Sequence, residues 1–313
     1  MRRSSRRGGK SFLELFPQLF LVPLGLVTIG VLVYLFFVAS AQDGRSVSEI
    51  IQDMQGAGER ARWQDANLLA GRIRDREAAA GGKVYLESDE TELLVHLLKK
   101  FPADRKTRRF VITALGRAGQ PGQTLSVLIE ILEAPGTSAE ERAETLLALG
   151  RTRTPGAAAP LLEWLRGGLG TDDWELRVYG IQALTVLTKD LADVERGPFI
   201  EELSRHLGDS RREVSWNTAY FLAYYFKSPA GVGILRRLLD VQFLDMQSGV
   251  DRKFTSREKE SWLKSAVQGL DALGEITDDE LEEARRTARD RGWMDVHNEV
   301  NTIVNARRDQ RTE

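Results

Sequence analysis

Residues 113–122 read TALGRAGQPG, and residues 147–156, 34 positions later, read LALGRTRTPG. Ala-Leu-Gly-Arg and Pro-Gly recur in both. After the first copy, Leu125, Leu128, Ile129 and Leu132 fall at i, i+3, i+4 and i+7, one apolar stripe of an amphipathic helix. After the second, Ala158, Leu161, Leu162 and Leu165 repeat the stripe. A shorter apolar pattern runs into each copy: Phe110, Val111, Ala114 and Leu115, then Ala143, Leu146, Leu147 and Leu149. The spacing predicts a first helix closed by Gly116 or Gly150 in the left-handed conformation, a turn at Pro-Gly, and a second helix. Such a pair cannot bury its stripe alone and has to stack on a neighbour, and a fixed period of this size points to an α-solenoid.

Fainter copies extend the array. ELRVYGIQALTVL (175–187) and EVSWNTAYFLAYY (213–225) align with each other, each preceded by an acidic turn, Asp172-Asp173 and Asp209-Ser210. LKSAVQGLDALGEI (263–276) returns to Ala-Leu-Gly at 272–274, and RWQDANLLAGRI (62–73) reads as a worn first copy. DDELEEARRTARDRGW (278–293) and MDVHNEVNTIVNARR (294–308) are strongly charged, as suits a capping end whose outer face meets water.

The N-terminus reads differently. Residues 19–39, LFLVPLGLVTIGVLVYLFFVA, carry no charge, and a helix of that length spans the ~30 Å hydrocarbon core of a bilayer. Arg2, Arg3, Arg6, Arg7 and Lys10 precede the run, whereas the twenty residues after it hold only Arg45. The positive-inside rule then places residues 1–18 in the cytoplasm and the rest of the chain on the far side of the membrane. Ala39-Ser40-Ala41 also fits a signal-peptidase site, so a cleaved leader is the rival expectation. Without the five N-terminal cations, the 44 basic residues become 39 against 46 acidic ones. That balance has no general pull on nucleic acid. The absence of cysteine excludes disulfides, thiolate catalysis and cysteine-ligated metals.

RRFVITALGRAGQPGQTLSVLIEIL (108–132) and ERAETLLALGRTRTPGAAAPLLEWL (141–165) resemble HEAT repeats, closest to the short HEAT-like class found in phycobilisome lyases. Arg108 and Arg142 stand where that pattern tends to carry arginine. The resemblance is good over 104–210, fair over 211–290 and poor over 45–100. It implies an all-α fold, a right-handed α-solenoid of about six helical pairs, preceded here by one transmembrane helix. The expected organisation is a basic cytoplasmic segment (1–18), the membrane helix (19–39), a linker and degenerate first pair (40–103), HEAT-like repeats (104–290), and a C-terminal capping helix and tail (291–313). The resemblance implies a scaffold or adaptor more than an enzyme. The runner-up is a secreted or periplasmic HEAT-like maturation factor of the lyase type, released by signal-peptide cleavage.

No catalytic constellation is visible. His96, His206 and His297 lie on distant units without a metal-ligand neighbour, and no phosphate loop, nucleophile elbow or H-E-x-x-H motif occurs. The acidic run at 278–283 is accounted for by a helix N-terminus and an i,i+4 pair of Glu282 with Arg286. The sequence therefore calls for no cofactor, no metal, no nucleic acid and no small-molecule substrate, but for a membrane-associated protein partner. Candidate partner-binding residues are those that miss the packing stripe. Trp164 lies about 110° from the stripe of its helix at 100° per residue, and Ile131 occupies the corresponding place one unit earlier. The other reading of both residues is that each packs against the next unit's second helix. SWNTAYFLAYYF (215–226) places Trp216, Tyr220 and Tyr224 in one aromatic row, either core or a partner surface.

Overall fold

The computed structural model describes residues 45–168, 170–248 and 252–312. Fifteen α-helices occur among the described residues, with no strand. They are α1 (Val47–Gly56), α2 (Glu59–Ala80), α3 (Ser88–Lys100), α4 (Arg105–Ala118), α5 (Pro121–Glu133), α6 (Ala139–Thr152), α7 (Ala158–Gly167) and α8 (Trp174–Thr188). There follow α9 (Asp193–Arg205), α10 (Arg212–Phe226), α11 (Val232–Leu239), α12 (Val241–Gln247), α13 (Ser256–Ala272), α14 (Asp278–Arg291) and α15 (Met294–Thr312). Contacts divide the chain into two units, Met1–Glu49 and Ile50–Glu313, and the helical stack from α2 onward belongs to the second. The expected membrane helix, 19–39, lies outside the described residues. Among the described residues no helix is long and apolar enough to cross a membrane.

Helix starts follow local chemistry. Asp104, Ser138 and Asp173 accept from backbone amides at the starts of α4, α6 and α8, and Thr255 and Thr277 form capping boxes with Glu258 and Glu280. Pro121 opens α5, where its missing N–H costs nothing. Pro155-Gly156-Ala157 forms a 3-10 turn that leads into α7.

The first helices of successive pairs stack into one layer, in the order α2, α4, α6, α8, α10, α13, α15. The second helices form the other layer, and each packs chiefly on the first helix of the following pair, α5 on α6, α7 on α8, α9 on α10. First helices are thus covered from several sides. In α4, Val111, Ile112, Ala114, Leu115, Gly116 and Ala118 are all buried. Buried threonines in this layer satisfy their hydroxyls on carbonyls one turn back, as Thr145 on Glu141, Thr185 on Ile181 and Thr218 on Val214.

The Ala-Leu-Gly phrase is not the corner that the spacing suggests. Gly116 and Gly150 lie inside α4 and α6, and neither is left-handed. A Cβ on Gly116 would stand 2.5 Å from the Cα of Ala148, and one on Gly150 would stand 3.1 Å from the Cα of Ala183. The glycines are there for close helix approach. Left-handed closure falls instead on Arg153, just past α6 at φ 53°, and on Lys227 past α10. At the third Ala-Leu-Gly, 272–274, the glycine does close its helix, with φ 70°. There the close-approach position is Gly269, set against Leu235 and Ala223.

A row of arginines knits the pairs together. Arg108 donates to the carbonyl of Leu98 at 2.9 Å and pairs with Glu141 at 2.6 Å. Arg142 donates to Leu132 and Ala134, and Arg177 donates to Thr171 while pairing with Asp209 at 2.8 Å. Arg62 repeats the motif on Ala57 and Asp104. Each reaches back to carbonyls left over where the preceding segment ends. Arg62, Arg108 and Arg177 also reach forward to an acid at the start of the next first helix.

The stripe of α7 is buried as expected, and that of α5 is rotated. Thr124, Leu128, Ile131 and Leu132 are its buried residues, while Leu125 and Ile129 are half-buried. A helix wedged against the next unit's first helix buries a flank that a single-stripe reading omits. In α14, Arg286 pairs with Glu283, three residues away, rather than with Glu282.

Candidate binding groove on the first-helix layer

The five residues singled out from the sequence do not form one site. Trp164 is 3% exposed, Ile131 8% and Trp216 5%. The Trp164 ring lies where a Cβ on Gly180 of α8 would sit, at 2.7 Å, so the indole fills the gap between α7 and the next unit's first helix. Trp216 packs with Phe243, Phe254 and Trp262, ring centroids 5.1–6.1 Å apart, in the core of the C-terminal pairs. These three are core residues. Tyr220 and Tyr224 do come together on α10, rings stacked at 5.3 Å. Tyr224 is 38% exposed and Tyr220 half-buried, its hydroxyl 3.3 Å from Gln268. Burial, helped by Tyr225 and Tyr224, pushes the Tyr220 phenol above its ordinary range. Lys227 lies over the Tyr224 ring and Lys189 over that of Tyr225, each at 5.7 Å.

A large hollow lies elsewhere on this layer. A cavity of about 760 Å³ opens where α2 runs past the C-terminal ends of α4, α6 and α8. Its apolar floor is Leu147 and Gly150 of α6 with Ala183 and Val186 of α8. The small residues at 150 and 183 that let α6 and α8 approach also keep this floor low. Five cations line it: Arg74, Lys83, Arg117, Arg151 and Arg153, against Glu77 as the one acid in the lining.

Each cation is placed by its element. Arg117 and Arg151 are the arginines of the two Ala-Leu-Gly-Arg phrases, one repeat apart, in the last turns of α4 and α6. Arg117 is forked onto Glu77 of α2, tying that helix to α4. Arg151 pairs with Glu144 at 3.0 Å. Lys83, in the loop after α2, crosses to α6 and donates to the carbonyls of Arg151 and Thr152 at 3.0 and 2.9 Å. Burial, with Arg153 adding to it, holds the Lys83 ammonium below the usual lysine range. Arg74 and Arg153 are exposed and make no ion pair or side-chain hydrogen bond among the described residues.

A second hollow of about 260 Å³ shares Leu147 and continues along α6 and α8 toward their N-terminal ends. There the lining is Glu140, Glu144, Asp173 and Glu175 with Arg109 as its cation. The groove is thus basic at one end and acidic at the other. Helix dipoles favour that sense, acids at N-termini and bases at C-termini. Its residues span 74–186, and only the repeated arginine of the phrase could have hinted at it from the sequence. Among the described residues, no cluster of His, Cys, Asp and Glu is arranged to hold a metal ion.

Comparison with known families identifies residues 91–184 as similar to HEAT repeats. That stretch runs from α3 to α8 and contains both copies of the phrase. No curated protein and no solved structure matched the chain.

Proposed function

We propose that this chain is a protein-binding scaffold, tethered to a membrane through residues 19–39, with its helical stack on the non-cytoplasmic side. The observation that carries the scaffold reading is the first-helix layer itself. It is a continuous stack whose outer face bears an open, charged groove rather than an enclosed pocket with convergent catalytic groups. HEAT repeats, which residues 91–184 resemble, usually serve as protein-interaction scaffolds. The tether is supported by the uncharged run at 19–39 and the five cations before it.

The test is affinity purification of the full chain from gently solubilised membranes, with partners identified by mass spectrometry. A protein recovered in near-stoichiometric amount is the expected result. A chain that purifies alone, or with a bound chromophore, would favour the lyase-like alternative. Orientation is checked by C-terminal fusions. Alkaline phosphatase should be active and green fluorescent protein dark, and the reverse would overturn the topology.

A further inference from the structure

We propose that the basic end of the groove, between α2 and the C-terminal ends of α4, α6 and α8, receives an acidic peptide segment of the partner protein, with an apolar residue seated on Leu147 and Val186. The proposal rests on the scaffold reading and names the chemistry of its partner.

Charge complementarity carries the argument. The chain as a whole is slightly acidic, with a net charge of −2, yet one hollow gathers five cations around a single acid. Cations at helix C-termini answer the dipole, and that accounts for Arg117, Arg151 and Arg153. It does not account for Arg74, which stands on α2, nor for the long side of α2 that walls the groove. Arg117 and Arg151 already have carboxylate partners, and Lys83 is spent on two carbonyls. Arg74 and Arg153 remain as exposed guanidinium groups that can fork onto a ligand's carboxylates.

The floor and the far end narrow the ligand class. An apolar strip between guanidinium groups fits a peptide that alternates acidic with apolar residues better than a compact inorganic anion. A nucleic-acid strand continuing along α6 and α8 would carry its phosphates past Glu140, Glu144, Asp173 and Glu175, which repel them. A peptide whose acidic stretch ends there meets no such penalty.

The experiment uses the full chain in mild detergent and a fluorescein-labelled peptide of about twelve residues, Glu-Glu pairs separated by single leucines, with binding read by fluorescence anisotropy. Wild type should bind the peptide, and added salt should weaken the complex. The variant Arg74→Glu/Arg153→Glu should bind about tenfold more weakly or worse, with an unchanged melting temperature. Should that variant fold poorly, Arg74→Gln/Arg153→Gln must give a loss of the same direction. Three results would each sink the proposal: equal binding of a control peptide with lysine in place of glutamate, tighter binding of a single-stranded oligonucleotide, or full affinity in both variants. A partner that co-purifies equally with wild type and with the variants would also remove the groove as its site, while leaving the scaffold reading standing. A chain that captures no partner but still binds the peptide would do the reverse.

Discussion

Glycine at 116 and arginine at 117 illustrate how adjacent residues of one phrase serve different ends. Gly116 brings α4 against Ala148 with no space for a side chain, and Arg117 turns the other way to line the groove. Glycine in a helix interior normally costs about 1 kcal/mol relative to alanine. At Gly116 the contact outweighs that cost, because a Cβ would stand 2.5 Å from backbone. Gly116→Ala should therefore destabilise by about 1–3 kcal/mol, as overpacking of a tight core does. Gly71→Ala in α2, where nothing lies within 4 Å, should instead stabilise by about 0.5–1 kcal/mol. Urea unfolding of the two variants checks both signs, and stabilisation by alanine at 116 would mean that the helices are not in contact there.

At the scale of one element, α7 shows why an amphipathic pattern understates burial. Ala158, Leu161, Leu162 and Leu165 make the expected stripe, and Trp164 adds a flank about 110° away. The helix packs on α8 of the following pair, and that contact is wide enough to take in the flank as well as the stripe. Trp164 fills the space over Gly180. Trp164→Ser should accordingly cost about 3–5 kcal/mol, the range for truncating a buried tryptophan, with a visibly lower melting temperature. Partner capture at a temperature where the variant is still folded should be retained. Loss of capture without loss of stability would return Trp164 to the binding surface. The arginine row belongs to this scale too. Arg142 answers carbonyls of Leu132 and Ala134 left over at the C-terminal end of α5, a contact that joins elements and that no single helix contains.

Across the whole array, each pair touches mainly its neighbours, so a local defect should stay local. Leu128 is fully buried in α5 against α6. Leu128→Ala should cost about 2–5 kcal/mol. Native-state hydrogen exchange should place the loss in α4 to α8, with α13 to α15 protected as in wild type. Uniform loss of protection over all helices would mean that the pairs unfold as one cooperative block. The aromatic core around Trp216, Trp262 and Phe254 closes the C-terminal pairs separately from these units.

Helix pairing and the 34-residue period were legible in the sequence because they rest on local facts: stripe spacing, the acidic turn at Asp172-Asp173, and Pro at 121 and 155. The apolar, uncharged character of residues 19–39 is likewise a property of composition alone. The conformation of Gly116 was not legible. A glycine after a leucine reads the same whether it ends a helix or clears room for another, and only the neighbouring backbone of Ala148 decides between them. Trp164 and Ile131 stayed open between a binding ridge and core packing for a related reason, since periodicity reports the direction of a side chain and not the width of the neighbour it meets; their burial shows packing. The basic groove was least legible of all. Its cations come from helices and loops between Arg74 and Arg153, each ordinary in its own place in the chain. Only the stacking of α2, α4 and α6 concentrates them on one wall, where like charges stand together at a cost that the sequence cannot display.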